Sequence, residues 1–164
     1  MAKLGLPKLK LPRLVADLPA DVTERDPDFI REMMPRLWLA AGLYFRAEVN
    51  GLDLVPDEPV LFVGNHSGGA SAPDSFVFQL AYLTKFTVDG RPLFSLGHQI
   101  VTGAPVFGKY ARKFGVVTAG FEAAVQILRD GNSVLVYPGG DVDALRPWFD
   151  RNKITFDGRQ GFLR

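Results

Sequence analysis

Across residues 28–46, Phe29, Ile30, Met33, Met34, Leu37, Trp38, Ala41 and Tyr44 or Phe45 recur at steps of three and four, the spacing of one helix face. Pro35 interrupts the stripe, where its ring and missing N–H predict a kink or a division into two shorter helices. Such a stripe suits a helix packed on a core, or one lying in a membrane interface. Further along, the apolar runs shorten. Residues 59–64 form a compact apolar run suited to a buried strand, and 49–54 is a candidate short strand before it. Strands are also predicted at 92–96, 115–118 and 133–137. Helices are predicted at 73–83, introduced by Ser71 with Pro73 in the first turn, at 100–113, and at 121–130 with Gly131 just past its end. Strands alternating with helices predict an α/β fold, a largely parallel central sheet flanked by helices.

A chain of 164 residues fits one such domain, so one site is sought. With 47% hydrophobic and 23% charged residues it has the composition of a folding protein. The net charge of +1 gives no global field for nucleic acid, and none is expected as a partner. Absence of cysteine excludes disulfides and thiolate catalysis. No run reaches the roughly 20 apolar residues that span a bilayer, and no secretory h-region opens the chain, which predicts a cytoplasmic protein. Residues 1–27 read as a basic, proline-containing tail in which Lys3, Lys8, Lys10 and Arg13 alternate with leucines. That composition suits an anionic membrane surface or a solvated terminus. The chain thus divides into a tail (1–27), an amphipathic helical segment (28–46) and an α/β domain (47–164).

The densest candidate chemistry is Gly64-Asn-His-Ser-Gly-Gly-Ala-Ser-Ala-Pro-Asp74, placed between a predicted strand and a predicted helix. Ligands bind at such strand ends because the loops expose backbone amides and helix N-termini. His66 can take a proton near neutral pH, and a carboxylate on its other ring nitrogen would fix the tautomer; Asp74 is the candidate. Asp74 is equally placed to close a capping box with Ser71. A second candidate loop, Val136-Tyr-Pro-Gly-Gly-Asp-Val-Asp-Ala-Leu-Arg146, follows the last predicted strand. Gly139 and Gly140 there allow close backbone approach to a substrate, or simply a turn.

The first stretch resembles the leading block of the phospholipid/glycerol acyltransferase superfamily. The second resembles its third block, in the form found among diacylglycerol acyltransferase-like and phytyl-ester-synthase-like members. The resemblance covers about residues 45–164. It implies the glycerolipid acyltransferase fold and transfer of a fatty acyl group from an acyl thioester to a lipid hydroxyl. His66 would be the general base and Asp74 its orienting carboxylate. Asn65, Ser67, Gly68, Gly69, Lys109, Arg112, Pro138, Gly139, Gly140, Asp143 and Arg146 would contact the substrates. Acyl-CoA or acyl-carrier protein would be the co-substrate, with no resident cofactor or metal, and the protein would attach peripherally to a membrane.

Several departures from the family pattern bear on the acceptor. Seven residues separate His66 from Asp74, more than is commonest in the family. The third block usually carries glutamate and arginine where Gly139 and Val142 stand here. The second usually places an arginine after a short strand, and residues 115–120 supply none. Such arginines suit an acceptor phosphate. Their loss predicts a neutral acceptor such as a mono- or diacylglycerol or a long-chain alcohol. Lys109, Arg112, Lys113 and Arg146 keep lysophosphatidate as the alternative; a noncatalytic lipid- or thioester-binding form of the fold is another. The family pattern would continue beyond residue 164, so the domain is expected to be incomplete and at most weakly active alone.

Other motifs fail on detail. Gly103-Ala-Pro-Val-Phe-Gly-Lys-Tyr110 is one residue from a P-loop, but tyrosine replaces the magnesium-binding hydroxyl and Pro105 removes an amide. Ser67 lacks the first glycine of a nucleophile elbow. His66 and His98 have no zinc spacing, and Asp141, Asp143, Asp150 and Asp157 have no EF-hand spacing.

Overall fold

The computed structural model describes residues 21–66, 72–150, 152–156 and 158–163. The basic tail through residue 20 and the loop residues Ser67, Gly68 and Gly69 lie outside them.

Helix α1 (Pro27–Ala40) begins where the Asp26 carboxylate accepts the Phe29 N–H at 3.0 Å, with Pro27 in the first turn where no N–H is needed. Pro35 does not divide it. The helix continues through Pro35 into a wide π-helical turn at Ala41–Phe45, and Arg46 ends it at φ 48°. Next, residues 49–54 form no strand: Gly51 takes φ 85° and starts a 3-10 turn at Leu52–Leu54. A left-handed residue there breaks the extended backbone that pairing requires.

The sheet has four parallel strands, β1 (Leu61–Val63), β2 (Leu93–Gly97), β3 (Val116–Thr118) and β4 (Ser133–Val136), in the order β1-β4-β2-β3. Leu61 pairs with Val134, Val63 with Val136, Leu93 with Ser133 and Gly97 with Thr118. All are close to their predicted positions, because each is an apolar run bounded by glycine, proline or a polar turn. Strand alternation separates two cores. On one face Phe62, Leu93 and Leu135 pack against Phe78, Tyr82 and Phe86 of α2 (Pro73–Phe86). On the other, Phe94, Val117 and Val134 meet Ile127 of α5 (Phe121–Arg129). Helix α1 covers the outer side of α2, where Ile30 packs with Leu83 and Val88, and Ala41 with Val77 and Leu80.

The helix expected at 100–113 is two, α3 (Gln99–Thr102) and α4 (Phe107–Lys113). Between them lies Gly103-Ala-Pro-Val; Pro105 cannot donate to the helical ladder and disfavours helical backbone at Ala104. A short helix, α6 (Gly140–Ala144), occupies what reads in sequence as a Pro-Gly-Gly loop. This is an α/β fold with a parallel sheet flanked by helices, the class the sequence predicts.

Candidate active site

Because all four strands run the same way, their carboxyl ends share one edge, and β4 inserts beside β1 although the two lie far apart in sequence. The strand ladder continues one bond past β1, with Gly64 N–H donating to Val136 O at 3.0 Å. His66 lies three residues past the end of β1, and Tyr137 directly follows β4. Their rings stack at 4.0 Å between centroids and 9° between planes. Gly64 makes the room, since a Cβ there would sit 2.8 Å from Tyr137 Cε1. Burial pushes the Tyr137 phenol up to about 12, partly opposed by a hydrogen bond from Ser75 and reinforced by the Asp74 charge.

Asp74 opens α2, and its carboxylate straddles His66: Nδ1 lies 3.3 Å from each oxygen. The seven residues between the two positions therefore do not keep Asp74 from His66. Asp74 Oδ1 also accepts the Ser75 N–H at 3.1 Å. Ser71, its expected capping-box partner, lies outside the described residues, and Ala72 holds the N-cap position at φ 42° without a side-chain cap. The side chains of His66 and Asp74 are 13% and 19% exposed, enclosed without being sealed. A carboxylate at Nδ1 favours the tautomer with its proton there and its lone pair on Nε2. Among the described residues Nε2 has no hydrogen-bond partner.

Several residues expected at the substrates have other occupations. Asp143, on α6, is fully buried; its Oδ2 accepts the His66 backbone N–H at 2.6 Å. Arg146 donates to the His66 carbonyl and the Lys153 carbonyl, and its Nη1 lies 3.1 Å from Asp143 Oδ1, off the line of an aligned hydrogen bond. Both therefore point inward, toward the backbone of His66. Arg112 binds both oxygens of Glu24 at 2.8 and 2.7 Å and also donates to the Thr102 carbonyl. Lys113 pairs with Asp26 at 2.8 Å. Lys109 is exposed, Asn65 and Gly140 are half-buried, and Pro138 and Gly139 are buried. Gly139 leaves no room for a side chain: a Cβ would lie 2.4 Å from Asp143 Cβ and 2.6 Å from Thr155 O.

Sequence reasoning missed three participants. Tyr137 was read only as the end of a strand, and Ser75 as a helix residue. Arg159 lies over the Pro-Gly-Gly turn, bonded to Gly139 O at 3.2 Å and to Asp141 at 2.9 Å. Burial raises the Asp141 carboxyl, but the Arg159 hydrogen bond and charge outweigh it and hold that group below its usual range. Tyr137 was legible in principle, as an aromatic residue following a strand opposite Gly64; Arg159 carries no such signal.

Residues 46–162 match the family model described as Acyltransferase. The chain belongs to the acyltransferase family. Membership implies a transferase domain of the kind that moves acyl groups. Curated relatives include uncharacterized proteins of Mycobacterium tuberculosis and Mycobacterium bovis, each 31% identical over 153 residues, which is 92% of this chain. A relative in Mycobacterium leprae, also uncharacterized, is 30% identical over 154 residues, or 93% of this chain. The chain spans about two fifths of the length of these relatives, 42% and 41%. No solved structure matches it. Among the described residues, no helix is long and apolar enough to cross a membrane, and no cluster of three or more histidine and acidic residues could hold a metal.

Proposed function

We propose that this acyltransferase transfers a fatty acyl group from an acyl thioester, acyl-CoA or acyl-carrier protein, to an uncharged lipid alcohol, with His66 as general base. The observation that carries this reading is His66 Nδ1 placed 3.3 Å from both Asp74 oxygens, with Nε2 without a hydrogen-bond partner among the described residues at the sheet's carboxyl edge. Nitrogen–oxygen distances of this kind are long for a charge-assisted bond and commonly tighten once substrate is bound.

In the reaction, Nε2 takes the acceptor hydroxyl proton as that oxygen attacks the thioester carbonyl. Asp74 stabilises the imidazolium that forms. Collapse of the tetrahedral intermediate breaks the C–S bond, and the imidazolium returns its proton to the departing thiolate. No covalent enzyme intermediate is required, consistent with a chain that has no cysteine.

The neutral acceptor is favoured by the pairing of the nearby guanidinium groups. Arg112 pairs with Glu24, Arg146 with Asp143 and Arg159 with Asp141. A phosphate would have to compete with each carboxylate. Peripheral membrane attachment is favoured by Leu39, Leu43, Tyr44 and Phe45, exposed together at the end of α1 and in the π-helical turn, beside Arg36 and Arg46.

The test is thiol release from acyl-CoA against a panel of mono- and diacylglycerols, long-chain alcohols and lysophosphatidate. Turnover with neutral alcohols, lost by at least ~100-fold in His66→Ala while thioester binding survives, is expected. Faster turnover of lysophosphatidate would overturn the acceptor. Thioester binding with no turnover of any alcohol would favour a noncatalytic binding protein.

A further inference from the structure

Past Gly64 the backbone of β1 leaves the sheet, and its polar groups need new partners. At His66 both groups find them in one buried pair: Asp143 Oδ2 accepts its N–H at 2.6 Å, and Arg146 Nη2 donates to its carbonyl. The Asp143 side chain is 0% exposed and that of Arg146 is 8% exposed. Neither resembles a group waiting for a substrate.

We propose that Asp143 and Arg146 are positioning residues, a charged clamp that grips the two backbone groups of His66 and so fixes where its imidazole points. This rests on the reading of His66 as the base. Holding both N–H and C=O of one residue fixes the planes of the two peptides around its Cα, and hence the direction of its Cα–Cβ bond. The Tyr137 stack and the Asp74 contact then leave the ring little freedom of rotation. Charged partners make stronger hydrogen bonds than neutral ones. Asp143 and Arg146 also neutralise one another, which makes burial of each tolerable. Asp143 near the end of α6 and Arg146 just beyond it both reach the backbone of His66. Gly139 permits it, because any side chain there would collide with Asp143 Cβ. The Val136–Arg146 segment thereby acts on the reaction through His66, and Asp143 and Arg146 need no contact with acceptor or thioester.

Two measurements test this, one of them independent of catalysis. First, amide hydrogen exchange on the 164-residue chain reads the clamp directly. The His66 amide is expected to be protected, with protection falling about ten-fold or more in Asp143→Asn, the size expected for loss of a charge-assisted bond. Exchange in the unmutated protein at the speed of an unbonded loop amide would overturn the proposal, whether or not the variant folds. Second, steady-state kinetics of Asp143→Asn and Arg146→Gln should show kcat reduced about 100-fold, the usual consequence of displacing a reacting group by an ångström. The KM for thioester and for alcohol should hold, and neither change should lower the residual rate of His66→Ala further. A raised acceptor KM with unchanged kcat would show that these residues bind substrate, and would refute the clamp. Should no His66-dependent turnover exist at all, the acyl-transfer reading fails while the exchange measurement still decides the clamp.

Discussion

Gly139→Ala isolates the packing that supports His66. Gly139 has φ −64° and ψ −26°, an ordinary right-handed helical conformation, so alanine brings no backbone strain. Its methyl group, however, would lie 2.4 Å from Asp143 Cβ and 2.6 Å from the Thr155 carbonyl oxygen. Ordinary contact begins near 3.4 Å, so Asp143 must retreat by roughly an ångström or the 152–156 segment must lift away. Neither obstacle is the free end of a flexible side chain. Overpacking of this kind costs about 1–3 kcal/mol. In a chain of this length each kcal/mol lowers Tm by about 2–4 °C. The same displacement withdraws Asp143 from the His66 amide, so kcat should fall by about two orders of magnitude. Thermal unfolding followed by circular dichroism, with thiol-release kinetics on the same samples, measures both. Gly42→Ala is the control: nothing lies within 4 Å of its Cβ position, and it sits in the helical turn after α1. It should be neutral or stabilise by up to about 1 kcal/mol. If Gly139→Ala melts with the unmutated protein and loses only activity, the glycine serves substrate approach, and the steric argument is wrong.

Leu80→Ala, at 1% exposure between α2 and α1, should cost about 2–5 kcal/mol in chemical denaturation; a loss below 1 kcal/mol would mean that α1 does not seal that core. Pro35→Ala restores an N–H within a continuous, exposed stretch of α1 and should raise the denaturation midpoint, whereas a lowered midpoint would show that the proline is preferred there. Tyr137 has its phenol raised in the folded state, so above pH ~10 the unfolded chain ionises first and binds fewer protons than the native one. Its contribution to stability is complete below pH ~10 and is lost as pH climbs toward 12, and Tyr137→Phe should flatten that part of the stability–pH curve. Tyr137→Leu removes the ring that stacks on His66 and should reduce kcat more than Tyr137→Phe does; equal effects in the same assay would leave the stack without a kinetic role.

Much of this molecule is decided locally and is therefore readable along the chain. The strands at Leu61–Val63, Leu93–Gly97, Val116–Thr118 and Ser133–Val136 are apolar runs with glycine or proline at their borders, and helix Phe121–Arg129 ends at Asp130-Gly131, with Gly131 at φ 81°. The loop carrying His66 is conspicuous for the same reason, an unusual local composition at a strand end. Where local rules competed, tertiary packing chose. Pro35 stays within α1 because Ile30, Met34, Leu37 and Ala41 bury one face of the helix on both sides of it. Pro105, with no such continuous face to hold, ends a helix. The backbone contacts of His66 were not legible, since Asp143 and Arg146 lie 77 and 80 positions away, brought to it only by the pairing of β1 with β4. Sequence fixes what a histidine, a carboxylate or an arginine is able to do. Strand order decides which of them meet, and here it set Asp143 and Arg146 against the backbone of His66, because burial leaves a charge no partner except another part of the protein.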